Sequence, residues 1–336
     1  MIVILTGGTG GAKFVDGLRR VVAPEELTII VNTGDDHMLW GLYVSPDIDS
    51  ITYVLLGLLS NERGWGVRGD TFHCLQAMKD LDEPTWFSVG DRDLATHLLR
   101  TRLIAQGRTL TEATQTIAER LQVGARILPM TDARVETRIG TPLGELSFEE
   151  YFVQRRYQDK VNSVRFAGAP ESRPASGVLD AIYTAEAVLI APSNPITSIG
   201  PILAVPGIRD ALSNTSAQVV AVSPIIGTAA VSGPAGALMA AQGLPVSVAG
   251  VASAYGEFLD VLVADNSDRE SATGLESGSP GRPRPGWADE SVRRRNLQVH
   301  CTNILMRKPE DREALAKTVL SLARRELMAA SVQEIK

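Results

Sequence analysis

Read from its first residues, the chain alternates short, wholly apolar runs with glycine-rich or polar breaks. Residues 2–5 (IVIL) are closed by Gly7-Gly8-Thr9-Gly10-Gly11. Phe14, Val15, Leu18 and Val21 then recur at the spacing of one helix face. Residues 28–31 (TIIV) make a second apolar run, ending at Asn32-Thr33-Gly34-Asp35-Asp36. Strand, glycine loop, helix, strand is the opening of a parallel α/β sheet. The pattern returns after about 175. Apolar runs at 187–191, 218–222 and 259–264 end in Pro192-Ser193-Asn194-Pro195, Ser223-Pro224 and Asp265. Runs that are apolar at every position suit strands buried on both faces. In such sheets ligands bind outside the carboxyl ends of the strands.

The middle of the chain has a different rhythm. Segments 50–59, 71–79, 91–106 and 111–121 read as helices, with Leu94, Leu98, Leu99 and Leu103 as a core stripe on the third. Thr109, with Glu112 three residues on, has the form of a capping box. Short strands are expected near 126–128 and 135–139. The predicted class is therefore α/β: a Rossmann-like parallel sheet core built from 1–48 and 175–336, with a helix-rich insertion over 49–174. Residues 267–295 are rich in Ser, Gly, Pro and Arg and are expected to form a mobile surface loop, in which Arg293-Arg294-Arg295 is a solvated charge run. A last strand at 297–305 and an amphipathic helix at 309–329 close the pattern.

Composition narrows the function classes. The 336 residues are 44% hydrophobic and 21% charged, an ordinary globular balance, and the net charge of −6 argues against a general nucleic-acid binder. No apolar run approaches the ~18 residues of a membrane span, and none has the form of a signal peptide. Cys74 and Cys301 are far apart, without a CxxC pair, so neither a zinc site nor a disulfide framework is indicated; both fit a reducing cytoplasm.

Five segments could carry chemistry. Gly7-Gly8-Thr9-Gly10-Gly11-Ala12-Lys13 suits a backbone that approaches a phosphate at a helix N-terminus. Lys13 stands where a dinucleotide fingerprint needs glycine, and the segment lacks the Gly-Lys-Ser/Thr of a Walker A loop. A tight structural turn is the alternative. Asp35-Asp36, Asp47 and Asp49 suit Mg²⁺, a hard cation with oxygen ligands, and a carboxylate free of metal could orient or deprotonate a hydroxyl. Alternatively, Asp47 or Asp49 caps a helix beginning near Ser50. In Gly90-Asp91-Arg92-Asp93-Leu94-Ala95-Thr96-His97, Arg92 could face a phosphate, and Asp93 and His97 share a helix face. A structural, hydrogen-bonded His97 is the more ordinary outcome. The strand ends at Ser193-Asn194-Pro195 and Ser223-Pro224-Ile225 offer groups for a base or ribose, or simply turn chemistry. Trp40, Trp65 and Trp86 could stack on a flat heterocycle or fill core.

Together these segments resemble the 2-phospho-L-lactate transferase family of coenzyme F-420 biosynthesis. The likeness rests on TGGTGGAKFVDGL, VNTGDD, SPDIDS, GWGVRGDTFH, GDRDLATHLLRT, ARILPMTD, APSNPITSIGPIL and SPIIGTAAVSGPAG, in that order. The resemblance implies a Rossmann-like core with a helical insertion, a dimer, Mg²⁺ dependence, a guanylylated donor and the deazaflavin alcohol Fo as acceptor. By position, it places Gly8, Thr9, Gly10, Gly11 and Lys13 at the donor phosphates. It places Ser193, Asn194, Pro195, Ser223, Pro224 and Ile225 at the guanosine. Asp35, Asp36, Asp47 and Asp49 would bind metal, with Asp36 and Asp49 catalytic and Asp49 also touching Fo. Where archaeal members often carry a basic Fo-binding residue this chain has Ser88, for which Arg92 or Arg68 could compensate. The implied reaction is attack of the Fo ribityl hydroxyl on the donor phosphorus, with GMP leaving. Two rival readings are a non-catalytic nucleotide-sugar-binding regulator of the same superfamily and a nicotinamide-dependent oxidoreductase.

Overall fold

The computed structural model describes residues 1–60, 62–276 and 297–324. Its centre is a seven-stranded sheet of β1 (Ile2–Thr6), β2 (Leu27–Val31), β3 (Arg126–Pro129), β4 (Ala187–Ile190), β5 (Gln218–Val222), β6 (Val261–Asp265) and β7 (Gln298–Thr302). The spatial order is 7-6-5-4-1-2-3, and every neighbouring pair is parallel. Side chains alternate between two layers with the period of a strand. Val3 and Leu5 of β1 join one core, Ile2 and Ile4 the other.

The helices α1 (Gly8–Leu18), α2 (Pro46–Leu55), α3 (Asp91–Ala105), α4 (Leu110–Arg120) and α5 (Pro309–Ala323) follow in chain order among shorter ones. One face of the sheet is covered by α1, α2 and α5 through Phe14, Ile51 and Leu315. The helices between 178 and 255 cover the other through residues such as Val178, Leu212 and Val251. Burial on both faces is the reason the strands read as unbroken apolar runs. The fold is the α/β class expected. The strand order reverses between β1 and β4, and the crevice at such a reversal is where ligands sit in open parallel sheets.

Several expectations need correction. The segment 49–174 is not wholly an insertion: β3 lies beside β2 in the main sheet, and Ile51 and Val54 of α2 lie in the core. What is added beside the sheet comes mainly from 56–105 and from a three-stranded antiparallel sheet of Glu136–Thr141, Gly144–Ser147 and Ser163–Ala167. The helix expected at 50–59 begins at Pro46, whose fixed φ suits a first turn, so Asp47 and Asp49 lie inside that turn rather than ahead of it. The leucine stripe on α3 is also displaced. Leu98 is 52% exposed, whereas Asp93, His97, Arg100 and Leu103 are the buried face. A polar face can point inward here because its charges meet partners on other elements. The capping box of α4 is as read: Thr109 Oγ1 accepts from Glu112 N (3.1 Å) and Glu112 accepts from Thr109 N (2.9 Å).

Residues 267–276 do not belong to a mobile loop. Asn266–Asp268 and Arg269–Glu276 are helical. Ala272 is buried, Leu275 packs on the core, and Asp268 Oδ1 accepts from Gly227 N (2.9 Å). The spacing of those two apolar side chains anchors one turn of helix that composition alone obscures. The rest of that expectation, 277–295, lies outside the described residues, as do 325–329 of the last helix.

Candidate active site

The chain leaves β1 at Thr6 and enters α1 through Gly7 and Gly8. Gly8 has φ +66°, a conformation that costs an L side chain ~1–2 kcal/mol. A Cβ on Gly10 would collide with the Pro192 carbonyl, and one on Gly11 with Thr6 Oγ1 and Ser193 Oγ. These two glycines let α1 lie directly against the end of β4, and Ser193 Oγ donates to the Gly7 carbonyl (2.7 Å). Part of the glycine pattern is thus a packing requirement. The rest faces a cavity of about 720 Å³ lined by Gly7, Gly8, Thr9, Gly10 and Lys13. The N-cap Gly7 offers α1 no side-chain cap of its own, and Thr9 and Gly10 of its first turn line the cavity, as at anion-binding helix starts.

The acidic residues of the second constellation separate into groups with different tasks. Asp47 accepts from Gly8 N (2.7 Å) and from Asn32 Nδ2 (3.0 Å), and Asn32 Nδ2 also donates to Asp35 (2.9 Å). Asp47 therefore anchors the glycine turn from α2. Asp35 Oδ1 is buried with no hydrogen-bond partner among the described residues. Burial, reinforced by the charge of Asp47, raises the Asp35 carboxyl well above the usual range. Burial likewise pushes Asp47 up to about 6, against the opposing pull of Gly8 N–H and Asn32. Asp36 turns away to accept from Ser45 Oγ (2.7 Å) and is not among the cavity-lining residues.

Asp49, two residues on in the same first turn of α2, has a different setting. Arg100, fully buried, forms a fork onto both its oxygens, with Nη1 at 3.0 Å from Oδ2 and Nη2 on Oδ1. His97 Nδ1 is 3.3 Å from Asp49 Oδ2, and His97 Nε2 is 3.6 Å from Asp93 Oδ1. Tyr53 Oη donates to Asp93 (2.7 Å). Burial alone would raise the Asp49 carboxyl; Arg100 and His97 outweigh it and hold it below the usual range. Burial raises Asp93 despite the attraction of His97. Asp49, Asp93 and His97 are close enough to share a metal ion, but the guanidinium already neutralises Asp49. This cluster is a fixed, ionised carboxylate in the cavity wall.

Ser88, Asn194, Ser193, Ser223 and Pro224 also line the cavity. The hydroxyls of Ser193 and Ser223 are engaged locally, Ser223 Oγ accepting from Ile225 N (3.1 Å). Gly11, Pro195 and Ile225 are not lining residues, and neither is Arg92, whose side chain is exposed and whose N–H donates to Asp70. Arg68 is likewise elsewhere, donating to the Gly57 carbonyl. Among the tryptophans of the described residues only Trp65 lines the cavity; Trp40 donates to the Pro84 carbonyl and Trp86 stacks on His37. Sequence reading missed Arg100, Glu149, and the stacked rings of Phe148, Phe152 and Tyr157 (centroids 5.4 and 5.6 Å apart) that form part of the wall. A lone arginine or glutamate carries no spacing signal of its own.

Glu149 is 7% exposed, and burial, with Asp47 and Asp36 adding, lifts its carboxyl from an ordinary 4.5 to about 8. A carboxyl raised in the folded state contributes stability below its unfolded pKa and loses it as pH rises through the folded one. The metal-free protein is therefore expected to lose stability between about pH 4.5 and 8. Glu149→Gln should flatten that slope, exceeding the parent by at least ~1 kcal/mol at pH 8.5 and matching it near pH 4.5. Urea unfolding in EDTA at the two pH values checks this; parallel slopes would refute it.

Comparison with known proteins accords with this geometry. Residues 2–305 match the family model described as 2-phospho-L-lactate transferase CofD. A 2-phospho-L-lactate transferase of Methanococcoides burtonii is 40% identical over 321 residues, covering 96% of this chain and 99% of that protein. A phosphoenolpyruvate transferase of Streptomyces coelicolor is 44% identical over 278 residues, covering 81% and 87%. Among solved structures, a UPF0052 family member from Bacillus halodurans shares the fold, with TM-score 0.59 and 15% identity over 95% of this chain and 99% of that one. No helix among the described residues is long and apolar enough to cross a membrane.

Proposed function

The chain belongs to the 2-phospho-L-lactate transferase CofD family, a family of phosphotransferases of coenzyme F-420 biosynthesis, and from that premise we propose that it moves a phospho-acid group from a guanylylated diphosphate donor to the deazaflavin alcohol Fo, releasing GMP. The observation that carries the reading is the meeting, in one cavity at the β1–β4 reversal, of the first turn of α1, Lys13 and the ionised Asp49. The donor acid is a phospholactate, an enolpyruvyl phosphate or a phosphoglycerate.

The oxygen donors fit Mg²⁺. Asp35 presents an unpartnered buried oxygen beside Asp47, and neither carboxylate has a cationic partner among the described residues, whereas Asp49 has Arg100. Asp35 and Asp47 would hold the ion, which when bound neutralises charge on the donor diphosphate. The N–H groups of Thr9 and Gly10 and the ammonium of Lys13 bind the diphosphate oxygens. Asp49 accepts the hydrogen bond of the attacking ribityl hydroxyl and orients it toward phosphorus. A new O–P bond forms, the bridging P–O bond to GMP breaks, and the hydroxyl proton passes to Asp49. Its low basicity is adequate, because in a loose phosphoryl-type transition state the hydroxyl gives up its proton late. Arg100 and His97 hold the carboxylate in register throughout. Trp65 and the rings of Phe148, Phe152 and Tyr157 supply apolar wall for a flat heterocycle.

Incubation of the protein with Fo, Mg²⁺ and each candidate donor, followed by mass spectrometry, tests this: GMP and a phosphodiester of Fo should accumulate together. Binding of GDP without turnover of any donor would instead favour a regulator. Gly10→Ala, which drives a Cβ into the Pro192 carbonyl, is expected to cost ~1–3 kcal/mol in urea unfolding and to weaken GDP binding about tenfold or more in calorimetry.

A further inference from the structure

One buried acid is used neither by the fold nor by the reaction above, and it stands among aromatic rings. Glu149 follows the strand Gly144–Ser147 and precedes the π-helical turn Glu150–Gln154. Phe148, Glu149, Phe152, Val153 and Tyr157, all from this one segment, line the cavity. The three rings are nearly parallel, at 11° between Phe148 and Phe152 and 19° between Phe152 and Tyr157. The backbone is strained beside them: Arg156 and Tyr157 have φ +52° and +46°, in the left-handed region, at ~1–2 kcal/mol each. Such strain, like a π-turn, gathers at ligand sites. Trp65, between Gly64 and Gly66 at φ +77° and +66°, shares an adjoining cavity with Phe152 and Tyr157, so a second element adds aromatic surface. Within this apolar wall Glu149 is 7% exposed and has no hydrogen-bond or ion-pair partner among the described residues. Its neighbour Glu150 is instead committed locally, accepting from Ser147 N (2.7 Å) and Ser147 Oγ (2.8 Å). The charges that face Glu149 are Asp47 on α2 and Asp35 and Asp36 after β2, all acidic. Burial and these neighbours raise its carboxyl to about 8, so at neutral pH it offers a donor and an acceptor side by side. A mostly apolar pocket with one placed polar group is the ordinary form of a small-molecule site.

We propose that Glu149 determines acceptor specificity by pairing with the imide edge of a flat heterocycle that stacks along Phe148, Phe152 and Tyr157. This rests on the deazaflavin acceptor given above and adds the group that reads its ring. The Glu149 O–H donates to a ring carbonyl, and the Glu149 C=O accepts from the ring N–H. A flat ligand without that N–H leaves a buried acid half-paired, and a site built to hydrogen-bond its substrate rejects such analogues strongly. The small antiparallel sheet and the π-turn after it then select the acceptor, while the Rossmann-like core holds the donor.

Fo and its derivative methylated at the imide nitrogen are the probes, and equilibrium dialysis with the full-length protein gives affinities independently of turnover. The parent is expected to bind Fo about tenfold or more tightly than the methylated ring. Glu149→Leu should bind Fo about tenfold or more weakly than the parent and lose that preference, with GDP affinity unchanged. Glu149→Gln, whose carboxamide keeps a donor beside an acceptor, should match the parent near pH 7. From about pH 7 to about pH 9 the parent should lose about tenfold in Fo affinity relative to Glu149→Gln, because only the carboxyl ionises; comparison at equal pH cancels any ionisation of the ring. Glu150→Gln should behave as the parent does, and circular dichroism verifies that each variant is folded. Parent-like Fo affinity in Glu149→Leu, no preference of the parent for Fo over the methylated ring, or a parent that tracks Glu149→Gln across that pH range would overturn the assignment of Glu149 and leave the acceptor reading in place. Absence of Fo binding by the parent would overturn both.

Discussion

Replacing Asp49 by asparagine is expected to lower kcat by ~10²–10⁴-fold while leaving GDP binding in place. The carboxylate lies in the cavity wall, ionised by its environment and clamped on both oxygens by Arg100. Asparagine keeps the size but cannot take the hydroxyl proton, and its amide N–H₂ would face the guanidinium. Because that leaves Arg100 buried without an anionic partner, some stability is lost as well, so turnover has to be measured at a temperature where circular dichroism shows a folded variant. Steady-state release of GMP, with Fo varied, separates kcat from KM. Turnover at the parent rate would remove Asp49 from the mechanism.

The second large effect is on stability. Arg100→Met is expected to destabilise the protein by ~3–5 kcal/mol in urea unfolding, because a buried anion is left without its partner. The position is fully buried, so solvent cannot take over the role of the guanidinium. Arg100→Lys retains the charge but not the planar fork, and should recover only part of the loss. Arg100→Met should also reduce turnover, since Asp49 without its cation drifts toward the protonated form that burial favours. A variant within ~0.5 kcal/mol of the parent would mean that the fork contributes little and that Asp49 is ionised for another reason.

These expectations bear on how far the site was legible. The glycine turn, the acidic pairs and the Asp93–His97 spacing are local patterns, and each contributes residues to the cavity wall, Asp36 excepted. Their tasks were not legible. Asp35, Asp36, Asp47 and Asp49 look alike in sequence, yet one has an unpartnered oxygen, one turns to Ser45, one anchors Gly8 and one is clamped by Arg100. The partners that differentiate them come from far along the chain: Asp47 is 39 residues from Gly8, and Asp49 is 51 from Arg100. The leucine stripe on α3 failed for the same reason. Hydrophobic periodicity assumes that buried means apolar, and here the buried face is Asp93, His97 and Arg100, each offset by a charge or hydroxyl on another element.

The order of apolar runs and breaks by itself determined the layered α/β architecture, because strands covered on both faces have to be apolar at every position and their ligand loops have to follow them. It also determined the helix start at Thr109, where both halves of the cap lie within one turn. Only the tertiary structure decided that β3 completes the sheet, that residues 267–276 are helical, and that Glu149 faces the same cavity as Gly8 and Asp49. Those outcomes depend on which surfaces meet. A carboxylate's charge, basicity and partners are set by neighbours in space, and chain order does not encode those neighbours locally.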